Sequence, residues 1–532
     1  MHLEPTEAWW LLGVCVTLVV IFLLVAHFTK LKTKIPRFYS WIGAIAIFGG
    51  VLAFLLPIAL NSGFGKDDDG RGLRQLILYT TGGVLGVITL GETHRKNSQE
   101  KEKNENDHTR QVHAERRSRY TTAVEQLANE KAAVRLGGIY TLVGLVDEWL
   151  ADDSLESEEQ QKEGQVIINN LCAYIRSPFP HIDYRQLFEE KEAENQIPEE
   201  HKDSFLAKRA QFREEQDVRG AIMREIVARL GVRSFDDIEE ETTVEEGPWS
   251  DFTYDFSRAS FPYKVDFDDS IMNSRLLFSG AVFSKTVSFN NSTFKSYVSF
   301  EETTFEKDKL HTDPFGMKSV SFNLSVFEAF VSFRDSVFGD SASYALATFK
   351  DAALFKGAVF KSSISFAGST FEKSASFSEA TFKYRTLFNG TKFKDSAHFL
   401  DTTFEDSAIF DDAIFKYPPS FIRTIFKGSA YFIETIFEES LDFNRVIFYG
   451  PVQFIEKTFN QQKLQFMSFS NQTRFSCQIP PDKYEFKISA DNTLFETEQV
   501  TVADGWVFTI PVGCELFDPN PLPTPKPKES TE

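Results

Sequence analysis

The sequence has few cysteines and none of the short motifs that mark common enzymes. Its 532 residues include four cysteines, Cys15, Cys172, Cys477 and Cys514, which lie far apart and form no CxxC pair. This spacing indicates neither a disulfide framework nor a zinc site, and it favours free, buried thiols. The nine histidines show no HExxH spacing, and the sequence contains no GxSxG or P-loop motif. We therefore predict no catalytic residue, no cofactor and no metal site, and a protein that is not an enzyme.

Basic residues are in the minority. The formal net charge is -20 at pH 7, which argues against nucleic acid as a direct ligand. The imbalance is local, because residues 151–250 carry 25 acidic and 12 basic side chains, whereas residues 256–459 carry 25 and 22. The negative field therefore belongs to the segment that precedes residue 256.

Long apolar runs lie near the N-terminus. We predict a membrane anchor over residues 1–92, with three transmembrane helices at about 8–28, 41–60 and 76–90. The first two runs are long enough to cross the hydrocarbon core, and the third is shorter but uncharged. Trp9 lies at one end of the first run, as in an interfacial aromatic belt.

Lysine and arginine residues set the expected orientation of these spans. Four of them follow the first span, and a second basic cluster follows the third. By the positive-inside rule, three spans place the N-terminus outside and all residues after 93 in the cytoplasm. We therefore predict a multi-pass protein of the cell (plasma) membrane with a cytoplasmic C-terminal region. If residues 76–90 do not span, that region lies outside.

The middle of the chain is charged and helical. Residues 93–118 are expected to form a charged stalk and residues 119–232 a helical domain, because apolar residues recur there at helical spacing. Asn129 is expected to cap one of these helices. Residues 233–250 are predicted to be an acidic, solvated linker. The helical domain is either a small bundle between membrane and repeats or a peptide-binding groove.

Phenylalanine is the residue in excess. It recurs from Phe256 to Phe459 in alternating steps of five and six residues, without a slip of the 11-residue register. The ladder positions that carry another residue are Met272, His311, Gly316 and Tyr344. The regular part of the ladder consists of Phe278, Phe283, Phe289, Phe294, Phe300, Phe305, Phe355, Phe360, Phe366, Phe371, Phe377, Phe382, Phe388, Phe393, Phe399, Phe404, Phe410 and Phe415.

This period predicts a solenoid rather than a helix. A period of 11 in a helix would give a right-handed coiled coil, but the repeats are rich in Phe, Ser, Thr, Asn and Gly, which are poor or middling helix formers. The residue two positions before each Phe also follows a pattern. It is small, as at Ala281, where the Phe lies five residues after the previous one, and usually apolar, as at Val287, where the Phe lies six residues after it. A solenoid that turns a corner every five or six residues would bury both side chains and stack its coils.

Two stretches, SFAGSTFEKSASF (365–377) and HFLDTTFEDSAIF (398–410), resemble the pentapeptide-repeat proteins in their Phe-rich variant. The resemblance implies a right-handed quadrilateral β-helix over residues 251–459. The five/six spacing departs from the family pattern and implies about 22 residues per coil instead of about 20. At about 4.8 Å per coil, roughly nine coils make a rod on the order of 45 Å long. A C-terminal cap at 460–517 and a disordered Pro-rich tail at 518–532 are expected to follow.

The expected fold class is therefore multi-domain, with N-terminal transmembrane helices, an α-helical linker domain and the β-helix. The segment VRLGGIY (134–140) is similar to a helical block in bacterial membrane-anchored pentapeptide-repeat proteins. That likeness implies a bacterial membrane protein and assigns the block no role.

The predicted function is a non-enzymatic, membrane-anchored scaffold that presents a rigid β-helical surface for interaction with another protein. The alternative is a DNA-mimicking topoisomerase (gyrase) inhibitor, as some soluble pentapeptide-repeat proteins are. The charge balance over residues 256–459 and the membrane spans argue against it. The resemblance also implies end-to-end homodimers, which the cap and tail would oppose.

Overall fold

The computed structural model describes residues 4–28, 37–62, 69–190, 193, 197–236, 241–307, 320–439, 441–455, 467–468, 472–487, 497–502 and 504–519. The chain forms two compact units, Met1–Glu115 and Arg116–Glu532. The helices are Pro5–Phe28, Arg37–Ala59, Asp69–Leu127, Ala132–Leu150, Ser157–Arg176, Arg185–Glu189 and Glu199–Val227, with 3-10 turns at Ile182–Tyr184 and Pro481–Lys483.

The first unit consists of two apolar helices and most of a third helix, which is apolar at its start and charged after residue 93. The first two helices pack through Leu12 and Leu55, and the Trp9 indole N–H donates a hydrogen bond to the Ala59 carbonyl at 3.0 Å. Many large apolar side chains remain exposed, including Val87 at 72%. Within the part of the chain that the structure describes, three helices are long and apolar enough to cross a membrane, which suggests that the protein associates with one.

The third of these helices is longer than the predicted span. It runs from Asp69 to Leu127, so the charged stretch at 93–118 is helical. Arg95 pairs with Glu92 there at 3.2 Å, a spacing that supports an exposed helix modestly.

The helical block of the second unit differs from expectation at the start of one helix. The cap position before the helix Ala132–Leu150 is Lys131, not Asn129. The Asn129 side chain instead accepts the Lys131 backbone N–H at 2.9 Å and shapes the turn. The helix Glu199–Val227 lies within the stretch predicted to be a helical domain, and it buries Phe205 and Phe212.

The acidic linker predicted at 233–250 is also corrected. Strands Gly231–Asp236 and Glu241–Glu246 pair as an antiparallel hairpin, with Arg233 opposite Val244. β-branched residues such as Val232 and Val244 favour extended backbone despite the surrounding acids. The hairpin is followed by Trp249, which is fully buried.

Four parallel sheets form the sides of a solenoid, which confirms the quadrilateral β-helix. We number the faces in the order in which the chain meets them. Face 1 consists of Tyr254–Asp255, Leu276–Leu277, Val298–Ser299, Val331–Ser332, Ala353–Leu354, Ala375–Ser376 and Ala397–His398, and Leu441–Asp442 pairs separately with Met467–Ser468. Face 2 consists of Ser260–Phe261, Val282–Phe283, Thr304–Phe305, Val337–Phe338, Val359–Phe360, Thr381–Phe382, Thr403–Phe404, Ile425–Phe426, Ile447–Phe448, Arg474–Ser476 and Glu515–Phe517.

Faces 3 and 4 complete each coil. Face 3 consists of Val265–Asp266, Val287–Ser288, Val320–Ser321, Ala342–Ser343, Ile364–Ser365, Thr386–Leu387, Ala408–Ile409, Ala430–Ile433, Val452–Ile455 and Tyr484–Lys487. Face 4 consists of Ile271–Met272, Thr293–Phe294, Val326–Phe327, Thr348–Phe349, Thr370–Phe371, Lys392–Phe393, Ile414–Phe415 and Ile436–Phe437.

The strand register confirms the 22-residue coil. Ala353 pairs with Ala375, which lies 22 positions later. The offset is 33 between Val298 and Val331, so the chain between those coils holds one additional 11-residue repeat. The ladder positions His311 and Gly316 belong to this stretch and lie outside the described residues.

Two kinds of corner explain the alternation of five and six. In the five-residue corners the Ala281 N–H donates to the Phe278 carbonyl at 2.9 Å, and Gly280, the second of the two residues between them, has φ +69°. This is the pattern of a type II turn. The first corner row, between faces 1 and 2, holds Arg258, Gly280, Glu302, Asp335, Gly357, Glu379, Asp401, Arg423 and Arg445, all with positive φ. The second corner row, between faces 3 and 4, holds Asp269, Asn291, Leu324, Leu346, Gly368, Gly390, Asp412 and Glu434.

The helical block closes the N-terminal end of the solenoid. Phe252 is fully buried and meets Gly164 of the helix Ser157–Arg176, where an added Cβ would lie 2.6 Å from its ring. The Gln165 side chain bonds both the N–H and the carbonyl of Thr253, at 2.9 and 2.8 Å. Helical and solenoid side chains therefore share one hydrophobic core.

The C-terminal end continues beyond the Phe ladder. In face 2, strand Arg474–Ser476 pairs with Ile447–Phe448 and with Glu515–Phe517. In face 3, Tyr484–Lys487 pairs with Val452–Ile455. An antiparallel hairpin, Thr497–Thr501 with Val507–Pro511, lies beside them and buries Phe508 in the shared core. The tail predicted at 518–532 lies outside the described residues from 520 onward.

Candidate functional site on the outer surface of the second unit

The predicted Phe ladder lies in the interior of the solenoid. All eighteen phenylalanines named in the sequence analysis are at most 1% exposed. Rings on the same face stack, as for Phe366 and Phe388 with centroids 5.0 Å apart and planes 4° apart. Rings on the opposite faces 1 and 3 meet edge to face, as for Phe388 and Phe399 at 5.7 Å and 87°. These residues hold the coils together, and a ligand can reach only the outer surface.

Pairs that join neighbouring coils fix the outer side chains. Lys350 bonds Glu328 at 2.8 Å, and Lys394 bonds Glu372 at 3.1 Å, each across one coil. Exposed ion pairs of this kind contribute little stability. These pairs nevertheless hold the surface charges in a regular pattern, which a partner with complementary charges can recognise.

The cysteines and histidines form no metal centre within the described ranges, where no group of three His, Cys, Asp or Glu side chains has suitable geometry. Burial raises the pKa of the Cys172 thiol to about 12, and that of Cys514 also to about 12. Thiols with such pKa values are protonated near neutral pH, so they are weak nucleophiles.

A groove of about 880 Å³ lies between the helix Glu199–Val227 and the first coils. We call it the junction groove. Met223 and Val227 line one side, Tyr263 and Val265 line the other, and Arg224 is among the charged residues around it. Clefts between structural elements are common binding sites. This groove is where the helical block could bind a peptide.

The helix Glu199–Val227, which lines the junction groove, also carries a buried ionic network. Arg219 is 1% exposed and its Nε donates to Glu215 at 2.6 Å. Its other nitrogens donate to the carbonyls of Ile175, Ser177 and Pro178 at 2.8–3.1 Å. Since the guanidinium is fully engaged, its role is to hold the turn after the helix Ser157–Arg176. No local sequence pattern reveals this network, because Arg219 and Ser177 lie 42 residues apart.

Comparison with known families gives the class of the solenoid. Residues 345–386 and 410–456 match the family model described as pentapeptide repeats (9 copies). The described residues of both stretches lie within the four-faced part of the structure. The solenoid is therefore a pentapeptide-repeat domain, which confirms the resemblance seen in its sequence. Comparisons with curated proteins and with solved structures gave no match.

Proposed function

We propose that this protein is a membrane-anchored, non-enzymatic scaffold whose solenoid binds a partner protein. Pentapeptide-repeat solenoids are in general structural or interaction domains, and the family match supports that reading. The three apolar helices support the anchor. A solenoid is suited to the task because its stacked coils create an extended, rigid binding surface.

The observation that carries the proposal is the core shared by the helical block and the solenoid. Phe252 and Tyr254, at the start of the solenoid, are buried against residues of the block such as Ile168. A partner held on the coils would therefore keep a fixed position relative to the block, which is what a scaffold requires.

We also propose that the second unit lies in the cytoplasm. The support is the distribution of Lys and Arg around the three spans. Protease protection in sealed membrane vesicles of both orientations tests it. Removal of a C-terminal epitope tag only in inside-out vesicles is the expected outcome, and its removal only in right-side-out vesicles would contradict it.

A crosslinked pull-down of the full-length protein from native membranes tests the scaffold. Because the core is shared, removal of the whole solenoid would expose the helical block, so we choose a deletion of residues 353–418, which is three complete coils. The matched control deletes one coil, residues 353–374. We expect a near-stoichiometric partner that is lost with the larger deletion. A specific partner kept by both variants would locate recognition elsewhere, first in the junction groove.

The second candidate function, peptide binding in the junction groove, rests on the size and lining of that groove. Ala228→Glu would place a charge on its exposed wall, and loss of the partner in this variant alone would favour it. The DNA-mimic alternative gains no support from the solenoid, whose 25 acidic and 22 basic residues over 256–459 nearly balance. Inhibition of gyrase supercoiling by the full-length protein would reverse that judgement.

A further inference from the structure

Three arginines gather at the C-terminal end of the first corner row. Arg423 and Arg445 occupy the row on consecutive coils, and Arg474 lies in the next strand of face 2. They line a groove of about 560 Å³ whose apolar lining is Ile425 and Ile447. We call it the arginine groove.

The backbone gives two of these arginines an unfavourable conformation. Arg423 has φ +57° and Arg445 has φ +59°, where L-residues are strained and glycine is not. Gly280 and Gly357 occupy the same row in other coils. Both arginine side chains are exposed, so burial does not offset the strain. Glycine would relieve this strain at both positions.

The charges of the groove are only partly neutralised. Arg423 bonds both oxygens of Asp401 at 2.6 Å. Arg445 donates to the side-chain oxygen of Gln472, which is uncharged, and the Arg474 guanidinium lies 5.2 Å from the centre of the Phe517 ring. Among the residues that the structure describes, no carboxylate lies within 4.0 Å of the charged nitrogens of Arg445 or Arg474.

The count of charges indicates which ligand fits. Three arginines and two carboxylates, Asp401 and Glu515, line the groove, which leaves one positive charge in a protein of net charge -20. One carboxylate would neutralise that excess, whereas a phosphate dianion would exceed it. A guanidinium binds a carboxylate with two parallel hydrogen bonds, and the nearby isoleucines would strengthen those bonds by limiting water.

We propose that the arginine groove binds an aspartate or glutamate side chain of a partner segment, held by Arg445 and Arg474. The inference rests on the proposed scaffold function and gives the partner a chemical class: an acidic segment with an apolar residue to place on Ile425 and Ile447. The spacing of neighbouring coils, about 4.8 Å, allows one carboxylate to contact guanidinium groups from two of them.

Fluorescence anisotropy with full-length protein in detergent micelles tests this. The probe is a labelled eight-residue peptide of alternating Glu and Leu, compared with a Gln-for-Glu peptide and a phosphoserine-for-Glu peptide. We expect the Glu peptide to bind, to weaken as salt rises, and to lose about ten-fold or more in affinity in the double variant Arg445→Gln, Arg474→Gln. The matched control is Arg258→Gln, an exposed residue of the same corner row at φ +60°, which should bind unchanged.

Three results would overturn the proposal. If the double variant binds the Glu peptide as tightly as the unaltered protein does, the groove is not the site. If the Gln peptide binds as tightly as the Glu peptide, the negative charge is not recognised. Tighter binding of the phosphoserine peptide would make it a phosphate site. The two proposals can fail separately. If the groove binds the peptide but the pull-down finds no partner, the scaffold function is refuted and the binding site in the groove is not.

Discussion

At the residue scale, Tyr344 is a position of the Phe ladder where tyrosine stands in place of phenylalanine, and its additional hydroxyl is unfavourable. Its ring stacks between Phe322 at 4.8 Å and Phe366 at 5.1 Å, so the aromatic packing is intact. Its hydroxyl is buried and has no hydrogen-bond partner among the described residues. Burial raises the pKa of Tyr344 well above its ordinary value of 10.

Tyr344→Phe should therefore stabilise the protein. An unsatisfied buried polar group costs about 1–3 kcal/mol, and the variant removes it, so the urea midpoint should rise. The matched control is Tyr254→Phe, which removes a hydroxyl that donates to the Trp249 carbonyl at 3.0 Å and should lower stability by about 0.5–1.5 kcal/mol. A lower midpoint for Tyr344→Phe would show that its hydroxyl has a partner.

The same substitution should alter the alkaline pH profile. A tyrosine whose pKa is raised on folding keeps its proton in the native state, while the unfolded state loses it above about pH 10. Its contribution to stability is thus present below about pH 10 and is lost as pH rises further. Stability measured from pH 8 to 11 should fall less steeply in Tyr344→Phe than in the unaltered protein, and identical slopes would contradict this.

The second corner row allows a test of backbone strain. Leu346 has φ +58° and is 59% exposed, whereas Gly390, two coils later, has φ +63° and open space around an added Cβ. The left-handed conformation costs an L-residue about 1–2 kcal/mol, less for Asn. Leu346→Asn should therefore stabilise slightly, and Gly390→Ala should destabilise by about 1 kcal/mol. Thermal midpoints that move in the opposite directions would contradict the assignment of these corners.

At the scale of elements, the sequence was most informative where one period repeats. The spacing of Phe, with small residues such as Ala281 and apolar residues such as Val287 two positions before, predicted the inward faces and the 22-residue coil. It did not reveal the left-handed corners, although the residue two after each turn-starting Phe is often Gly, Asp or Asn, as at Gly280 and Asn291. That preference is diluted by Arg, Glu and Leu in the same rows.

The hairpin over 231–246 shows where composition misleads. Its acidic residues suggested a solvated linker, yet Glu246 pairs with Lys295 and Arg233 pairs with Asp269. These partners are distant in sequence, so composition within a window could not reveal them. Likewise, the helix Glu199–Val227 carries charged residues throughout its first half, but Phe205 and Phe212 anchor it.

The Arg219 network should be essential to the helical block. Arg219→Met leaves the Glu215 carboxylate, itself buried, with only weaker contacts from Arg135 and Tyr174 at 3.3 Å. Loss of one partner from a buried ion pair costs about 3–5 kcal/mol. A thermal melt should show this drop, and the exposed Arg213→Met on the same helix should stay within about 0.5 kcal/mol. Equal melting of the two variants would show that the network is dispensable.

At the scale of the whole molecule, the sequence predicted the succession of parts better than their joining. It could separate helical from repeat segments by period, but Trp249, Phe252 and Tyr254 bury their side chains against helices that are distant in sequence. No local pattern encodes such contacts. Helical block and solenoid therefore form one folding unit, and insertions or deletions must respect the coil.

A deletion series tests that rule. Removal of residues 353–374 joins Ala352 to Ala375 at the same position of the coil, because the pairing offset is 22. The shortened chain should fold, remain monodisperse on gel filtration and resist proteolysis, with a rod about 4.8 Å shorter. Removal of residues 353–368 makes both the spacing from Phe349 to Phe371 and the spacing from Phe371 to Phe377 six residues. The alternation of five and six is then broken, because one five-residue corner is missing, and Phe377 is displaced by one residue from its inward position.

Because a slip by one residue turns inward side chains toward the solvent, the 16-residue deletion should aggregate or be digested rapidly. Comparable proteolysis of both variants would show that the Phe register does not control the fold. The comparison is well matched, since the harmful deletion removes fewer residues than the tolerated one. A difference in this direction can arise only from the geometry of the coil and not from the amount of chain that is lost.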